Sequence, residues 1–271
     1  MIRSSELRCF ISSKGTPVGT ARDLHPSRYD NNVCSLTNSR MPTTVLACDY
    51  DETLAAAGHV SGRALEAVGR LQASGGKFIL VTGRALEDLA EVGPELTRFD
   101  FVVAENGAVL YWPEGRAVQS AASSPSEEFI AVLKQRGVHP LDIGRSIVAT
   151  VREHAAVVRQ TMAEMGLDLE IILNRSSLMI LPGGVNKGTG LRLALEQLGW
   201  PAENVIGIGD AENDASFLSI CGTSVAVANA IPAIKEAADW TTDRESGDGV
   251  VEVINRVLAG DLCATRSEPS R

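Results

Sequence analysis

From residue 43 onward, short β-branched runs alternate with stretches in which apolar residues recur every three or four positions. This is the pattern of βαβ units built around a parallel sheet. The runs at 44–48, 77–81, 101–104, 204–208 and 223–227 predict strands. Between them, Leu65, Val68 and Leu71 follow the cap residue Ser61, and Leu191, Leu195 and Leu198 fall at i, i+4 and i+7. Each set predicts a helix with one buried stripe. A last helix is expected after Gly249, with Val250, Ile254 and Val257 on one face.

Residues 113–182 break this rhythm. Ser124-Pro125-Ser126-Glu127 has the form of a capping box with Pro at the first helical position, opening a helix through Phe129, Val132 and Leu133 that stops at Gly137. A strand-like run, 146–151, comes next. It precedes a helix from about 153 to 165 and two further runs, 169–173 and 178–181, separated by a turn. The pattern predicts an α/β fold: a Rossmann-like parallel-sheet core from 43–112 and 183–262, with a small α/β cap domain, 113–182, inserted into it. Gly183-Gly184 is the expected hinge, and a single continuous domain is the simpler alternative. Residues 1–42 lie outside this organisation. Residues 1–40 are rich in Ser, Arg, Asn and Thr, and carry six Arg or Lys against three Asp or Glu. They bury too little to order themselves and are expected to be a disordered tail, an organellar leader, or an over-extended start upstream of Met41. Residues 263–271 are expected to form a flexible C-terminal tail.

Composition narrows the classes. The 271 residues are 44% hydrophobic and 22% charged, the range of a globular chain. No apolar run approaches the ~18 residues needed to span a bilayer, so a membrane is not an expected partner. A net charge of −9 and 4% aromatic residues argue against nucleic acid, which needs cations for phosphates and rings for bases. Five scattered cysteines without a CxxC spacing suit a reducing compartment, and the cytoplasm is expected. The four histidines, far apart in sequence, give no zinc-ligand spacing and read as solvated imidazoles.

Two acidic segments carry the candidate chemistry. Asp49-Tyr50-Asp51-Glu52-Thr53 follows the first strand, and its alternation sends Asp49 and Asp51 to the same side of the strand's carboxyl end. A bare D-x-D arises about 0.7 times by chance in a chain with 14 Asp, so a solvated turn is the competing reading. Gly209-Asp210-Ala211-Glu212-Asn213-Asp214 is far more specific, with a chance expectation of about 0.002. Adjacent carboxylates repel unless a cation lies between them or one stays protonated. Thr82-Gly83-Arg84 at the end of the second strand offers a hydroxyl and free N–H groups to an anion, or simply a helix cap. Lys187 opens a helix, where its charge opposes the helix dipole, and a solvated surface lysine is the plainer alternative.

Asp49-x-Asp51-x-Thr53, Thr82, Lys187 and Gly209-Asp210-x-x-Asn213-Asp214, in this order, resemble the four motifs of the haloacid dehalogenase superfamily of phosphotransferases. Glu105-Asn106-Gly107-Ala108 and the position of the insertion are similar to the type IIB cap branch, which includes sugar-phosphate and phosphoglycolate phosphatases. The resemblance implies a phosphatase of small phosphorylated metabolites. Asp49 is its nucleophile, through an aspartyl-phosphate, and Asp51 the general acid and then base. It further implies one Mg²⁺ held by Asp49, the backbone carbonyl of Asp51 and Asp210, with Asp214 and Asn213 close by. Thr82 and Lys187 bind the phosphoryl oxygens. Thr53, Gly83, Arg84 and Asn213 complete the substrate site, and Asn106, Arg145, Asn174 and Arg175 are the expected readers of the leaving group. For Arg145 and Arg175 a surface salt bridge is the plainer expectation. Glu52 departs from the family's usual Gly and is expected to point away from the site. A phosphomutase and a non-enzymatic ligand sensor are the alternative functions, and the chain is expected to be a monomer or homodimer.

Overall fold

A computed structural model describes residues 44–92 and 96–264. The expectations for residues 1–42, and for 265–271 of the C-terminal tail, lie outside the described residues.

The chain opens with β1 (Val45–Asp49), a small hairpin β2 (Ala55–Ala56) and β3 (His59–Val60), then α1 (Gly62–Ala73), β4 (Lys77–Val81), α2 (Leu86–Val92) and β5 (Phe101–Ala104). An antiparallel hairpin, β6 (Val109–Trp112) and β7 (Ala117–Ser120), follows. The insertion then contributes α3 (Glu127–Gln135), β8 (Asp142–Ile143), β9 (Val148–Val151), α4 (Ala155–Met165), β10 (Leu169–Asn174) and β11 (Ser177–Pro182). The chain returns through α5 (Lys187–Leu198), β12 (Val205–Gly209), α6 (Ala215–Leu218), β13 (Thr223–Ala226), α7 (Pro232–Ala237), β14 (Trp240–Thr241) and α8 (Ser246–Ala259).

The large sheet runs β14-β13-β12-β1-β4-β5-β6-β7, parallel from β14 to β5 and antiparallel beyond. Every residue of β1 and β12 is buried, so helices cover both faces at the centre, as an all-parallel region requires. The chain order reverses at β1: β4 and β5 lie to one side, β12 and β13 to the other. Ligands of open α/β sheets bind at the carboxyl ends of the strands beside such a reversal.

Helix positions follow local chemistry, with small shifts from the sequence pattern. Ser61 caps α1 by accepting from Ala64 N, but the buried stripe is Ala64, Ala67, Val68 and Leu71, leaving Leu65 half-buried. In α3 the cap is Ser126, which accepts from Phe129 N, not Ser124. The side-chain acceptor has to sit two or three residues ahead of the orphan N–H it satisfies, and Ser124 lies too far upstream. Helix α8 starts at Ser246, three residues before Gly249.

The insertion packs an antiparallel sheet, β10-β11-β9-β8, against α3 and α4 around Phe129, Leu133, Val148, Val158, Leu178 and Ile180. The β6–β7 hairpin extends the large sheet, so the expected boundary at 113 falls inside that hairpin and the crossing to the small sheet comes after Ser120. A separate apolar seam joins the units: Ala108 beside β6 meets Ile147, Ala149, Met179 and Leu181 of the insertion. No helix among the described residues is long and apolar enough to cross a membrane.

Candidate active site

Because Cys48 pairs with Ile208 across the parallel β1–β12 ladder, Asp49 and Asp210 emerge together at the sheet's carboxyl edge. Asp214 folds back to join them, its Oδ2 accepting from Asp210 N at 2.8 Å and Ala211 N at 3.0 Å. A Cβ on Gly209 would lie 2.8 Å from the Asp214 side chain, so this return needs glycine. Asp49, Asp210 and Asp214 are all buried, with one carboxylate oxygen of each within 4.8 Å of the others.

Lys187 reaches this cluster from the first turn of α5. Asn186 caps that helix by accepting from Thr189 N at 3.0 Å, which fixes Lys187 as its first residue. Its Nζ donates to Asp49 Oδ1 at 2.5 Å and Asp214 Oδ1 at 2.6 Å, and its side chain is 1% exposed. Burial works against the ammonium, but Asp214 and Asp49 outweigh it and raise its pKa. Burial, and then Asp214, push the Asp49 carboxyl well up, with Lys187 opposing. Asp210 is likewise raised by burial and Asp214, against the pull of Arg175. Three crowded oxygen donors that repel one another and resist ionisation make a hard-cation site, and Mg²⁺ fits that donor set.

Around the cluster, several expected residues take more defined places. Thr53 Oγ1 donates to Asp210 Oδ1 at 3.0 Å, orienting a carboxylate rather than facing an open pocket. Arg84 is buried and grips Asp51 with two bonds, Nε to Oδ2 at 2.8 Å and Nη2 to Oδ1 at 2.6 Å. The guanidinium expected to bind substrate is therefore paired with the expected general acid. The Asp51 side chain turns towards Arg84 and is not part of the three-carboxylate cluster. Thr82 Oγ1 accepts from Arg84 N at 3.1 Å, holding the turn at the end of β4. Glu52 sits at φ 59°, the left-handed region that favours the family's glycine. Its carboxylate accepts from Ala57 N in the β2–β3 hairpin; burial works against the Arg175 guanidinium, but Asp210, with smaller help from Glu52, raises its pKa.

Asn213 donates to Asn106 Oδ1 at 3.0 Å, and Asn106 in turn lies 2.8 Å from Met179 Sδ, so a polar chain runs from the core into the insertion. Gly83 sits beside both asparagines. The Oδ1 atoms of Asn174 and Asn213 are buried without a hydrogen-bond partner, acceptors that a bound water or substrate hydroxyl would satisfy.

The insertion supplies arginines. Arg175, in the β10–β11 turn, pairs with Asp210 across the interface while its side chain stays 47% exposed. Arg145 pairs with Glu87 at 2.8 Å, the surface salt bridge set out above as the plainer expectation. A cavity of about 400 Å³ opens between the units, walled by Gly83 and Asp88 on one side and Asp142, Gly144 and Arg145 on the other. Burial raises both Asp88 and Asp142 to about 6, with Asp142 adding to the shift at Asp88. Sequence reasoning assigned no role to these two acids or to Glu105, whose side chain is fully buried. Glu105 alone had a signal, since it stands in Glu105-Asn106-Gly107-Ala108.

Known proteins resemble this chain in sequence and in fold. A phosphoglycolate phosphatase of Methanothermobacter thermautotrophicus is 31% identical over 79% of this chain and 98% of its own length. Phosphoglycolate phosphatase 2 of Saccharolobus solfataricus is 33% identical over 80% and 94%. In structure, the subclass IIB sugar phosphatase BT4131 superposes with a TM-score of 0.64 at 21% identity, covering 81% of this chain and all of that one. The family model for haloacid dehalogenase-like hydrolases matches residues 46–161 and 147–254. The chain thus belongs to the haloacid dehalogenase-like hydrolases.

Proposed function

We propose that this hydrolase is a phosphatase that removes phosphate from a small phosphorylated metabolite through an aspartyl-phosphate on Asp49. The observation that supports it best is the buried meeting of Asp49, Asp210, Asp214 and Lys187 at the centre of the sheet edge. Phosphate-ester hydrolysis is among the slowest reactions in water, and catalysis rests on positioning and neutralising charge.

Asp49 attacks phosphorus through the carboxylate oxygen not held by Lys187, and the bond from phosphorus to the ester oxygen breaks. Asp51 gives its proton to that leaving oxygen. Water then attacks the aspartyl-phosphate while Asp51 takes its proton, the bond from phosphorus to Asp49 breaks, and phosphate departs. Arg84 holds both oxygens of Asp51, so entry of substrate must free one of them for the proton transfer. Lys187 opposes the rise that burial and Asp214 impose on the Asp49 carboxyl and draws the phosphoryl oxygens towards it. Asp49, Asp210 and Asp214 would hold Mg²⁺, which when bound offsets the negative charge of phosphate and carboxylates. Thr82 and the N–H of Gly83 line the same edge, the Arg84 N–H being taken up by Thr82 Oγ1, and Arg175 approaches from the insertion.

The names of the relatives make phosphoglycolate the first substrate to try, with sugar phosphates next. Phosphate release with Mg²⁺ over such a panel, without any bisphosphorylated activator, is the expected result. An Asp49→Asn variant with undiminished Mg²⁺-dependent activity would overturn the assignment.

A further inference from the structure

We infer that Glu105 is a positioning residue: a core carboxylate that clasps the β8–β9 turn of the insertion and thereby sets the wall of the leaving-group cavity. This rests on the phosphatase reading for its kinetic consequence, but not for its structural one.

The clasp is built from both sides. Glu105 belongs to the core, directly after β5, and its own N–H donates to Arg84 O at 2.9 Å. Glu105 and Asn106 both lie in the left-handed region, at φ 51° and 53°, an uncommon pair of conformations for residues with side chains. Such strain persists where surrounding contacts over-determine it, and it clusters at functional sites. The turn aims the carboxylate out of the core and into the insertion. There Oε1 accepts from Arg145 N at 2.9 Å and Oε2 from Ser146 N at 2.7 Å. Two successive backbone N–H groups on one carboxylate form a charge-assisted pair of bonds, and Glu105 is fully buried when it makes them.

The insertion is shaped to receive it. A Cβ on Gly144 would lie 2.8 Å from Glu105 Oε2, so the turn closes on the carboxylate only because that position lacks a side chain. Gly144 N donates to Ile147 O at 2.9 Å, closing the turn, and Ser146 Oγ donates to Ala122 O at 2.7 Å, tying it to the segment that enters the insertion. Arg145, one of the two residues the clasp holds, and its neighbours Gly144 and Ile147 line the cavity of about 400 Å³ between the units, which on the phosphatase reading would receive the leaving group. The ion pairs between the units have a different character. Arg152–Glu212, Arg145–Glu87 and Arg175–Asp210 each involve an arginine with at least a quarter of its side chain exposed. Exposed pairs of that kind hold position weakly, whereas a buried acceptor with two fixed donors does not drift.

The test replaces Glu105 by Gln in the full chain, which keeps one acceptor oxygen and sets an NH2 group against a backbone N–H. Amide hydrogen exchange at Arg145 and Ser146 is expected to accelerate about tenfold or more, with β1, β4 and β12 unchanged. For the best cavity-filling substrate of the panel, KM is expected to rise about tenfold. Turnover of acetyl phosphate, whose activated leaving group needs no wall to orient it, is expected to stay within about twofold. Gly144→Ala, which pushes the turn off the carboxylate from the other side, is expected to give the same pattern. Unchanged exchange at Arg145 and Ser146 in both variants would overturn the proposal. So would equal losses on both substrates accompanied by faster exchange in the core, which is what a merely structural role predicts. If the chain is inert towards every phosphate ester, the phosphatase reading fails while the exchange measurement still decides the clasp.

Discussion

The large-sheet core and the insertion differ in how they hold their charged side chains. In the core, Lys187 is 1% exposed and bonded to two carboxylates, and Arg84 is 1% exposed and bonded twice to Asp51. In the insertion, Arg175 is 47% exposed and Arg152 46%, each with a single ion-pair partner on the core. A fixed, desolvated charge acts strongly because no water screens it and none must be reorganised during reaction. A half-exposed arginine is held loosely and is suited to closing on different substrates. Under the proposed phosphatase reading, the core would carry the chemistry and the insertion would read the rest of the substrate.

The largest effect that could break this division is at the nucleophile. Asp49→Asn is expected to lower kcat by about a thousandfold or more, measured by phosphate release under saturating Mg²⁺. A loss below tenfold would remove Asp49 from the centre of the core's role. Next comes Lys187→Met, which strips the only cation bonded to both Asp49 and Asp214 among the described residues. Removing one partner from a buried charged network costs about 3–5 kcal/mol, so urea unfolding should shift by that order, with part of the loss recovered on adding Mg²⁺. No shift would mean that the carboxylates carry protons instead of relying on the lysine.

A smaller effect is expected on the insertion side. Arg175→Ala should raise KM about tenfold and move stability by less than about 1 kcal/mol, since its side chain is half exposed. An Arg175→Ala loss confined to kcat would give the insertion a share in the chemistry. The smallest effect concerns pH. Asp88 and Asp142 are raised from 3.8 to about 6, so the folded chain holds more protons than the unfolded one across that interval. Their contribution to stability is greatest below pH 4 and declines as pH rises through 6. The double variant Asp88→Asn, Asp142→Asn should flatten this slope, by about 1 kcal/mol once solvent screening is allowed for. Equal slopes in urea titrations at pH 4 and pH 7 for both proteins would contradict it.

Much of the core was legible because its signals are local. The strand at 77–81, the helix after Ser61, and the cluster Asp49, Asp210 and Asp214 each depend on residues close in sequence or on strands whose neighbours follow from parallel topology. The insertion was legible as a break in rhythm, yet the boundary expected at 113 cuts through the β6–β7 hairpin, which extends the large sheet. An antiparallel pair such as β6–β7 has no sequence feature stating which edge it extends. The partner of Arg84 was not legible for a related reason: a cation after a strand end suits an anion, and sequence cannot say whether that anion is a substrate or Asp51, 33 positions away.

By itself, the sequence determined the alternation of strands and helices, the inserted unit, and which carboxylates and lysine meet at the sheet edge. Hydrophobic period and motif spacing are properties of the chain. The tertiary structure alone decided that Arg84 clamps Asp51, that Glu105 reaches two amides 40 and 41 residues on, and that His139 and His154 lie with ring centres 5.9 Å apart. These pairings join residues distant in the chain, and only packing, within the core, within the insertion and between the two, decides which of them meet.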